Sequence, residues 1–339
     1  MKKLIKKLFV IAFICAILSG LWIGYLLFSV DTSISFDSPI YVEIPYGIGT
    51  RQVAKIFVDS EILKNPKIFV ITALVTGRDK EIRAGRFRFE RPLSVWQLIK
   101  NITRGGSFDI SITIPEGFTI YAISGIVQKE LGIDSVAFLA ACRDTTLLKK
   151  IGIPGPTAEG FLFPETYNIP QGIEKDSLIC IMFAEFIKRW SPEYQTYAAS
   201  LGMSLLEIVT LASIIEAEAY VKSEQTVISS VYHNRLKIGM MLQADPTTIY
   251  GLKKFDKPLL LVDLDDDSPY NTYRRLGLPP GPICNPGEDA IRATLLPDST
   301  EYLYFVSRRD GTHIFSRTIQ EHHKAIREVK KIINRKREA

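Results

Sequence analysis

Residues 8–30 read LFVIAFICAILSGLWIGYLLFSV, and no charge falls in these 23 positions. As a helix, a run of this length crosses the roughly 30 Å hydrocarbon core of a bilayer. Lys2, Lys3, Lys6 and Lys7 precede it, and the next charge is Asp31. The positive-inside rule then predicts a cytoplasmic N-terminus, with everything after Val30 outside. A cleaved signal peptide and a buried core helix are the alternatives. Against the first, the run exceeds the usual apolar core of a signal and no A-x-A site follows it. Against the second, it abuts a lysine cluster. Cys15 lies inside the span and lacks a lipoprotein-like context.

The net charge of +5 divides unevenly. Four lysines give +4 at the start, and seven Lys/Arg against two Glu give +5 over 324–339. Residues 8–323 therefore carry −4. The basic footprint of a nucleic-acid binder is absent, so no nucleic-acid partner is expected. Cys142, Cys180 and Cys284 are widely spaced, which predicts no metal site and at most one disulfide.

Beyond a polar linker at 31–40, the chain carries a near-repeat offset by 70 residues. Ile44-Pro45-Tyr46-Gly47-Ile48 matches Ile114-Pro115-Glu116-Gly117-Phe118. Each copy reads as a short strand, a Pro-x-Gly turn and an amphipathic helix. The alternation Arg86-Phe87-Arg88-Phe89 predicts a half-buried strand. Ser94 and Gln97 have capping-box spacing before a helix over 95–103, and Gly105-Gly106 ends it. The order strand, helices, strand, helix predicts a small α+β module over 41–110. Glu159 and Glu165 sit in a Gly/Pro-rich connection with Phe161, Phe163 and Tyr167, where exposed loop acids are the expectation.

Ser204 and Glu207 form a second capping-box pair, so a helix is predicted from Leu205. No charge occurs from Ile208 to Ile215, which predicts burial around most of its circumference. Glu216 and Glu218 follow. At about 100° per residue they point apart rather than pairing on one face. Glu218 extends the line of Leu211, Ile214 and Ile215. Desolvation there favours the protonated carboxyl, which a general acid near neutral pH requires. A helix-end carboxylate paired with Lys222 or Arg235 is the structural alternative. Gln, Asp, Asn, Thr and Tyr residues among rigid turns then predict a groove able to bind sugar hydroxyls. The acidic run Asp263, Asp265, Asp266 and Asp267 lacks the features of a calcium loop and reads as solvated. His313 reads as a core histidine or a substrate contact, and His322 and His323 as exposed.

These pieces together resemble the YceG-like, endolytic murein transglycosylase family. The matching segments are LASIIEAEA (211–219), HNRL through LQADPTTIYG (233–251), YNTY (270–273), GLPPGPI with NPG (277–287), and YLYFV (302–306) followed by His313 and Phe315. The likeness spans about residues 40–325. It implies an α+β protein with an N-terminal transmembrane helix, a LysM-like module, and a mixed α/β catalytic domain over 111–325. The second repeat and connector occupy 111–200 of that domain, and a basic tail follows over 326–339.

The resemblance implies cleavage of peptidoglycan glycan strands between N-acetylmuramic acid and N-acetylglucosamine, without water or cofactor, leaving 1,6-anhydro ends. A substrate hydroxyl serves as nucleophile, so one carboxyl suffices where an ordinary glycosidase needs two. By match to the family motif, Glu218 is the catalytic acid and Glu216 a supporting residue. Ala217 stands where the family commonly has Lys, and Ala219 where it has Thr or Gly. Gln243, Asp245, Asn271, Thr272 and Tyr273 match groove positions and are expected to contact substrate. Asp245 is also the candidate second carboxylate, with a turn-stabilising role before Pro246 as the alternative. The implied setting is a bacterial plasma membrane, acting on new strands near peptidoglycan synthases. A non-catalytic peptidoglycan-binding scaffold and a water-using muramidase are the competing readings.

Overall fold

Residues 39–90, 92–104, 109–170 and 172–338, with Ile17, Gly20 and Gly24, are described by the computed structural model. All but three residues of the expected anchor at 8–30, the basic tail at 1–7 and nearly all of the linker lie outside the described residues. Among the described residues, no single helix is long and apolar enough to cross a membrane. The class is α+β, with many helices and, among the described residues, two-stranded sheets. The chain divides into two units. The first takes residues up to Ser111 plus Asn168–Ile173, and the second takes Ile112–Tyr167 and Glu174 onward.

In the first unit, β1 (Ile40–Ile44) alternates so that Val42 and Ile44 turn inward. Two helices follow, α1 (Thr50–Asp59) and α2 (Pro66–Val75). Then β2 (Gly85–Phe89) pairs antiparallel with β1, setting Val42 opposite Phe87. Phe87 and Phe89 are buried, as their alternation predicts. In α3 (Val95–Arg104), the Ser94 backbone N–H donates to Gln97 Oε1 at 3.1 Å, and the Gln97 N–H donates to Ser94 Oγ at 3.3 Å. The expected capping box is therefore closed. Phe57 sits at the core centre, edge-on to Phe69 and Phe89 at 5.5 and 5.8 Å.

Strand β3 (Asp109–Thr113) leads to the second Pro-x-Gly turn and α4 (Ile120–Leu131), so the two copies of the repeat fold alike in different units. Gly47 and Gly117 both adopt left-handed backbone, at φ +80° and +76°, which explains the glycine in each copy. The chain continues through α5 (Ser135–Ala141) and α6 (Thr145–Ile151) to β4 (Thr166–Pro170), which pairs with β3. Helices α7 (Lys175–Arg189), α8 (Pro192–Ser200) and α9 (Leu205–Glu218) follow. Next come α10 (Gln225–Lys237), α11 (Asp245–Leu252) and α12 (Glu288–Leu295). A hairpin of β5 (Tyr304–Ser307) and β6 (His313–Ser316) precedes α13 (Ile319–Glu338). That helix continues past residue 325, where the sequence places the domain's end, and it buries Ala325 and Val329.

Helix α9 is the axis of the second unit. Its capping box is closed by Ser204 and Glu207, and every residue from Ile208 to Ile215 is buried. Leu211, Ile214 and Ile215 pack with Ile228, Tyr232, Leu242, Ala244 and Ile283. Each such apolar side chain contributes about 1.5–3 kcal/mol on burial. A helix seated this deeply delivers whatever follows Ile215 to a fixed place.

The Gly/Pro-rich segments clasp this core. Ser213 Oγ accepts from the Ile283 N–H at 3.0 Å. Asn285 Nδ2 donates to the Phe118 carbonyl and to Glu159 Oε1, and its Oδ1 accepts from the Leu162 N–H. Glu159 is fully buried, contrary to the exposed loop acid expected. Both of its oxygens accept from the Ile120 N–H, and Oε2 also accepts from Tyr250 Oη at 3.0 Å. Burial pushes its carboxyl up to about 8. Glu165 is the solvated acid expected, paired with Arg189. Of the aspartate run, Asp263 departs from the solvated reading. It is buried, ion-paired with Lys254, and accepts from the Leu260 N–H.

Candidate active site

Helix α9 ends at Glu218 because Ala219 turns to extended backbone (φ −85°, ψ 101°). The Glu218 side chain therefore leaves the helix at the edge of the core. It lines a pocket of about 400 Å³ shared with Arg235, Gln243, Asp245, Tyr273, Tyr304 and His313, among others. Each wall comes from a different element: Arg235 from α10, Asp245 from the start of α11, Tyr304 from β5 and His313 from β6. Ile319 and His322 of α13 complete it.

Two groups tune Glu218 from opposite sides. Tyr232, on α10 and buried, donates its Oη to Glu218 Oε1 at 3.2 Å. That bond and the nearby Arg235 guanidinium favour the carboxylate. Burial opposes them most, and the charge of Asp245 adds to it, so the carboxyl is pushed up to about 7. A group with this value is protonated often enough at neutral pH to give a proton and is basic enough to take one back.

Arg235 is held rather than free. Its Nε donates to the Leu303 carbonyl at 2.7 Å, another guanidinium nitrogen donates to the Leu242 carbonyl, and its plane lies 5.6 Å from the Tyr304 ring centre. It thereby ties α10 to the strand on one side and to the loop before Gln243 on the other. No ion pair joins it to Glu218 among the described residues, and its effect there is through charge. His322 stacks on Tyr304 at 5.3 Å, giving the pocket a flat aromatic wall. This corrects the exposed position expected for His322; His323 alone is exposed. The residue one turn from the start of α13 is carried inward because that helix packs on the hairpin.

The predicted site residues separate into three groups. Gln243, Asp245 and Tyr273 reach the pocket with Glu218. Gln243 holds left-handed backbone at φ +50°, with its N–H on the Thr272 carbonyl at 3.1 Å. Such strain in a non-glycine residue persists only where surroundings fix it. Tyr273 donates its Oη to Asp245 Oδ1.

Asn271 and Thr272 sit behind the wall instead of in it. Both are buried. Asn271 Nδ2 donates to the Leu264 and Asp266 carbonyls at 2.9 and 2.7 Å, while its Oδ1 accepts from the Tyr273 N–H. Thr272 Oγ1 accepts from the Ala244 N–H at 2.9 Å. Their polar groups are engaged in fixing the loops that present Tyr273, Gln243 and Asp245.

Glu216 lies on another side of α9. Its Oε2 accepts from the Gly287 N–H at 3.2 Å, and Glu116, Lys222 and Asp289 surround it in charge. Glu216 thus anchors the Asn285-Pro286-Gly287 turn and does not line the pocket. It points away from Glu218, as the divergence of the two around the helix implies. Tyr304, Ser307, Ile319 and His322 carried no assigned site role in the sequence, and Arg235 entered only as an alternative partner for a helix-end carboxylate. The motifs HNRL and YLYFV held Arg235 and Tyr304, but only the packing of β5 on α10 shows that they face one cavity.

Residues 42–328 match the YceG-like family. The chain is 31% identical to an endolytic murein transglycosylase of Bacillus subtilis (strain 168), over 84% of this chain and 83% of that one. It is 30% identical to an endolytic murein transglycosylase of Streptococcus pneumoniae serotype 2, covering 94% of this chain but only 64% of that longer relative. Its fold is similar to the crystal structure of a YceG-like protein from Listeria monocytogenes, with a TM-score of 0.60 and 29% identity over 85% of this chain and 99% of that chain. With a helix-end glutamate set in a walled pocket and a match over most of its length, this chain belongs to the YceG-like family.

Proposed function

We propose that the chain is an endolytic murein transglycosylase, a lyase that cuts peptidoglycan glycan strands. The carrying observation is Glu218, held at the end of a buried helix, facing a pocket, with its carboxyl raised to about 7. In the reaction, Glu218 gives its proton to the glycosidic oxygen between N-acetylmuramic acid and N-acetylglucosamine. The muramic acid C6 hydroxyl attacks the anomeric carbon as that bond breaks, and the Glu218 carboxylate takes the hydroxyl proton. One C–O bond forms as one breaks, water is not consumed, and a 1,6-anhydro end results. Holding the C6 hydroxyl beside the anomeric carbon supplies much of the activation. Arg235 and Tyr232 favour the carboxylate midway through the cycle.

Asp245 in the same pocket supports a second reading, a muramidase in which the second carboxylate directs water. Mass analysis of digested strands separates the two. Anhydro ends support the lyase, and reducing ends one water heavier support the muramidase. Strand binding by the Glu218→Gln protein, with no products released by the parent, would indicate a binding scaffold. We further propose a membrane anchor over residues 8–30 with the catalytic unit outside, a LysM-like role for the module over 41–110, and action on new strands near the synthases. The 23 uncharged residues behind four lysines support the anchor.

A further inference from the structure

The turn leaving the catalytic helix carries a second acid. Glu224 closes a single 3-10 turn (Lys222–Glu224) six residues after Glu218. Its carboxylate grips one residue twice. Oε1 accepts from the His313 backbone N–H at 3.1 Å, and Oε2 meets His313 Nδ1 at 2.7 Å. The His313 side chain is 7% exposed, and its ring stands edge-on to Phe305 at 5.3 Å. Gly311, at the tip of the same hairpin, lies where an added Cβ would come within 2.7 Å of the Tyr220 ring. The hairpin is therefore seated on the turn that follows Glu218.

A carboxylate can only accept, so His313 Nδ1 donates, and in the neutral ring Nε2 keeps its lone pair. Among the described residues Nε2 has no hydrogen-bond partner, and the residue lines the pocket beside Glu218. The geometry differs from that of a histidine satisfied within a core, where both nitrogens would be engaged. It matches the way a carboxylate fixes ring orientation and tautomer in sites where the far nitrogen meets a ligand.

We propose that Glu224 and His313 form a fixed recognition post, at which His313 Nε2 accepts a hydrogen bond from a hydroxyl or acetamido N–H of the glycan strand. This rests on the glycan-cleaving reading of the pocket. Glu224 is a positioning residue, and His313 touches substrate. Because Glu224 holds His313 from the turn that directly follows the Glu218 helix, the sugar bound by His313 is held in register with Glu218.

The test uses full-length Glu218→Gln protein in detergent, with purified uncleaved glycan strands as the probe. His313→Asn keeps an amide N–H where Nδ1 was and removes the group at Nε2. His313→Gln restores a polar group there. The expected result is binding weakened about tenfold by His313→Asn and recovered to within about threefold of the parent by His313→Gln. A tenfold loss corresponds to about 1.4 kcal/mol, the scale of one lost hydrogen bond. In ¹⁵N-histidine-labelled protein, the His313 Nε2 resonance shifts when strands are added, which needs no folded variant. Unchanged binding by His313→Asn, equal loss in both variants, or an unmoved Nε2 resonance overturns the post. Absence of any strand binding by the Glu218→Gln parent overturns the glycan reading and the post with it, a pattern distinct from the others.

Discussion

The phenol of Tyr232, buried in the core, donates a 3.2 Å hydrogen bond to Glu218 Oε1, so the floor of the pocket stabilises the charged form of its own acid. Across the pocket, Asp245 does the reverse. The balance near neutrality is thus a property of three elements, α9, α10 and α11, and each can be moved separately.

Glu218→Gln removes the proton donor while keeping the shape. Cleavage is expected to fall by at least about 10²-fold, the usual worth of a general acid. In the parent, kcat/KM for strand cleavage falls as pH rises through about 7, where the acid loses its proton. The stability sign follows from the same shift. A carboxyl raised from 4.5 in the unfolded chain binds more protons when folded, so its contribution is fully present below 4.5 and lost as pH rises through about 7. Glu218→Gln protein should gain melting temperature relative to the parent at pH 8 and show no such gain at pH 4.5.

Tyr232→Phe deletes the donor that favours the carboxylate. The alkaline limb of the kcat/KM profile should move upward by roughly one pH unit, since one unit corresponds to about 1.4 kcal/mol and a hydrogen bond to a charged group is worth that much. A limb that stays put in this variant would mean that the limb belongs to another group.

Asp245→Asn is predicted to move the same limb downward, because it removes the negative charge that opposes ionisation of Glu218. The opposite signs of this shift and the Tyr232 shift form one test, read from two pH profiles. Tyr273 loses an anionic acceptor in the same variant, so its phenol, held upward by burial and by Asp245, should ionise at lower pH.

Asn271→Ala addresses positioning against contact. It strips partners from the Leu264 and Asp266 carbonyls and the Tyr273 N–H inside the protein. A loss of about 2–4 kcal/mol in denaturant unfolding is expected, since buried polar groups are left unpaired. A substrate-contact role would instead leave stability unchanged and raise KM.

Much of the local structure could be read directly. The capping boxes at Ser94 and Ser204, the alternation at Phe87 and Phe89, and the uncharged stretch from Ile208 to Ile215 all follow from short-range periodicity. The site was legible where a residue ends a helix whose burial is written into its own sequence, as at Glu218. It was less so where loops fold back. Asn271 and Thr272 share a motif with Tyr273, yet only Tyr273 reaches the pocket, because an Asn amide or a Thr hydroxyl can serve a backbone group as readily as a sugar.

The amino-acid sequence by itself determined the helix that carries the acid, the divergence of Glu216 from Glu218 by about 200° around it, and the family. Tertiary structure alone decided which side chains surround that acid. Tyr232 and Arg235 come from α10, Asp245 from α11 and His313 from β6, and their placement around Glu218 depends on separations in space that no local pattern encodes. Glu159 makes the same point within the core. The chain presents it as a loop acid, and its burial follows from the N–H of Ile120, the amide of Asn285 and the hydroxyl of Tyr250 meeting at one place.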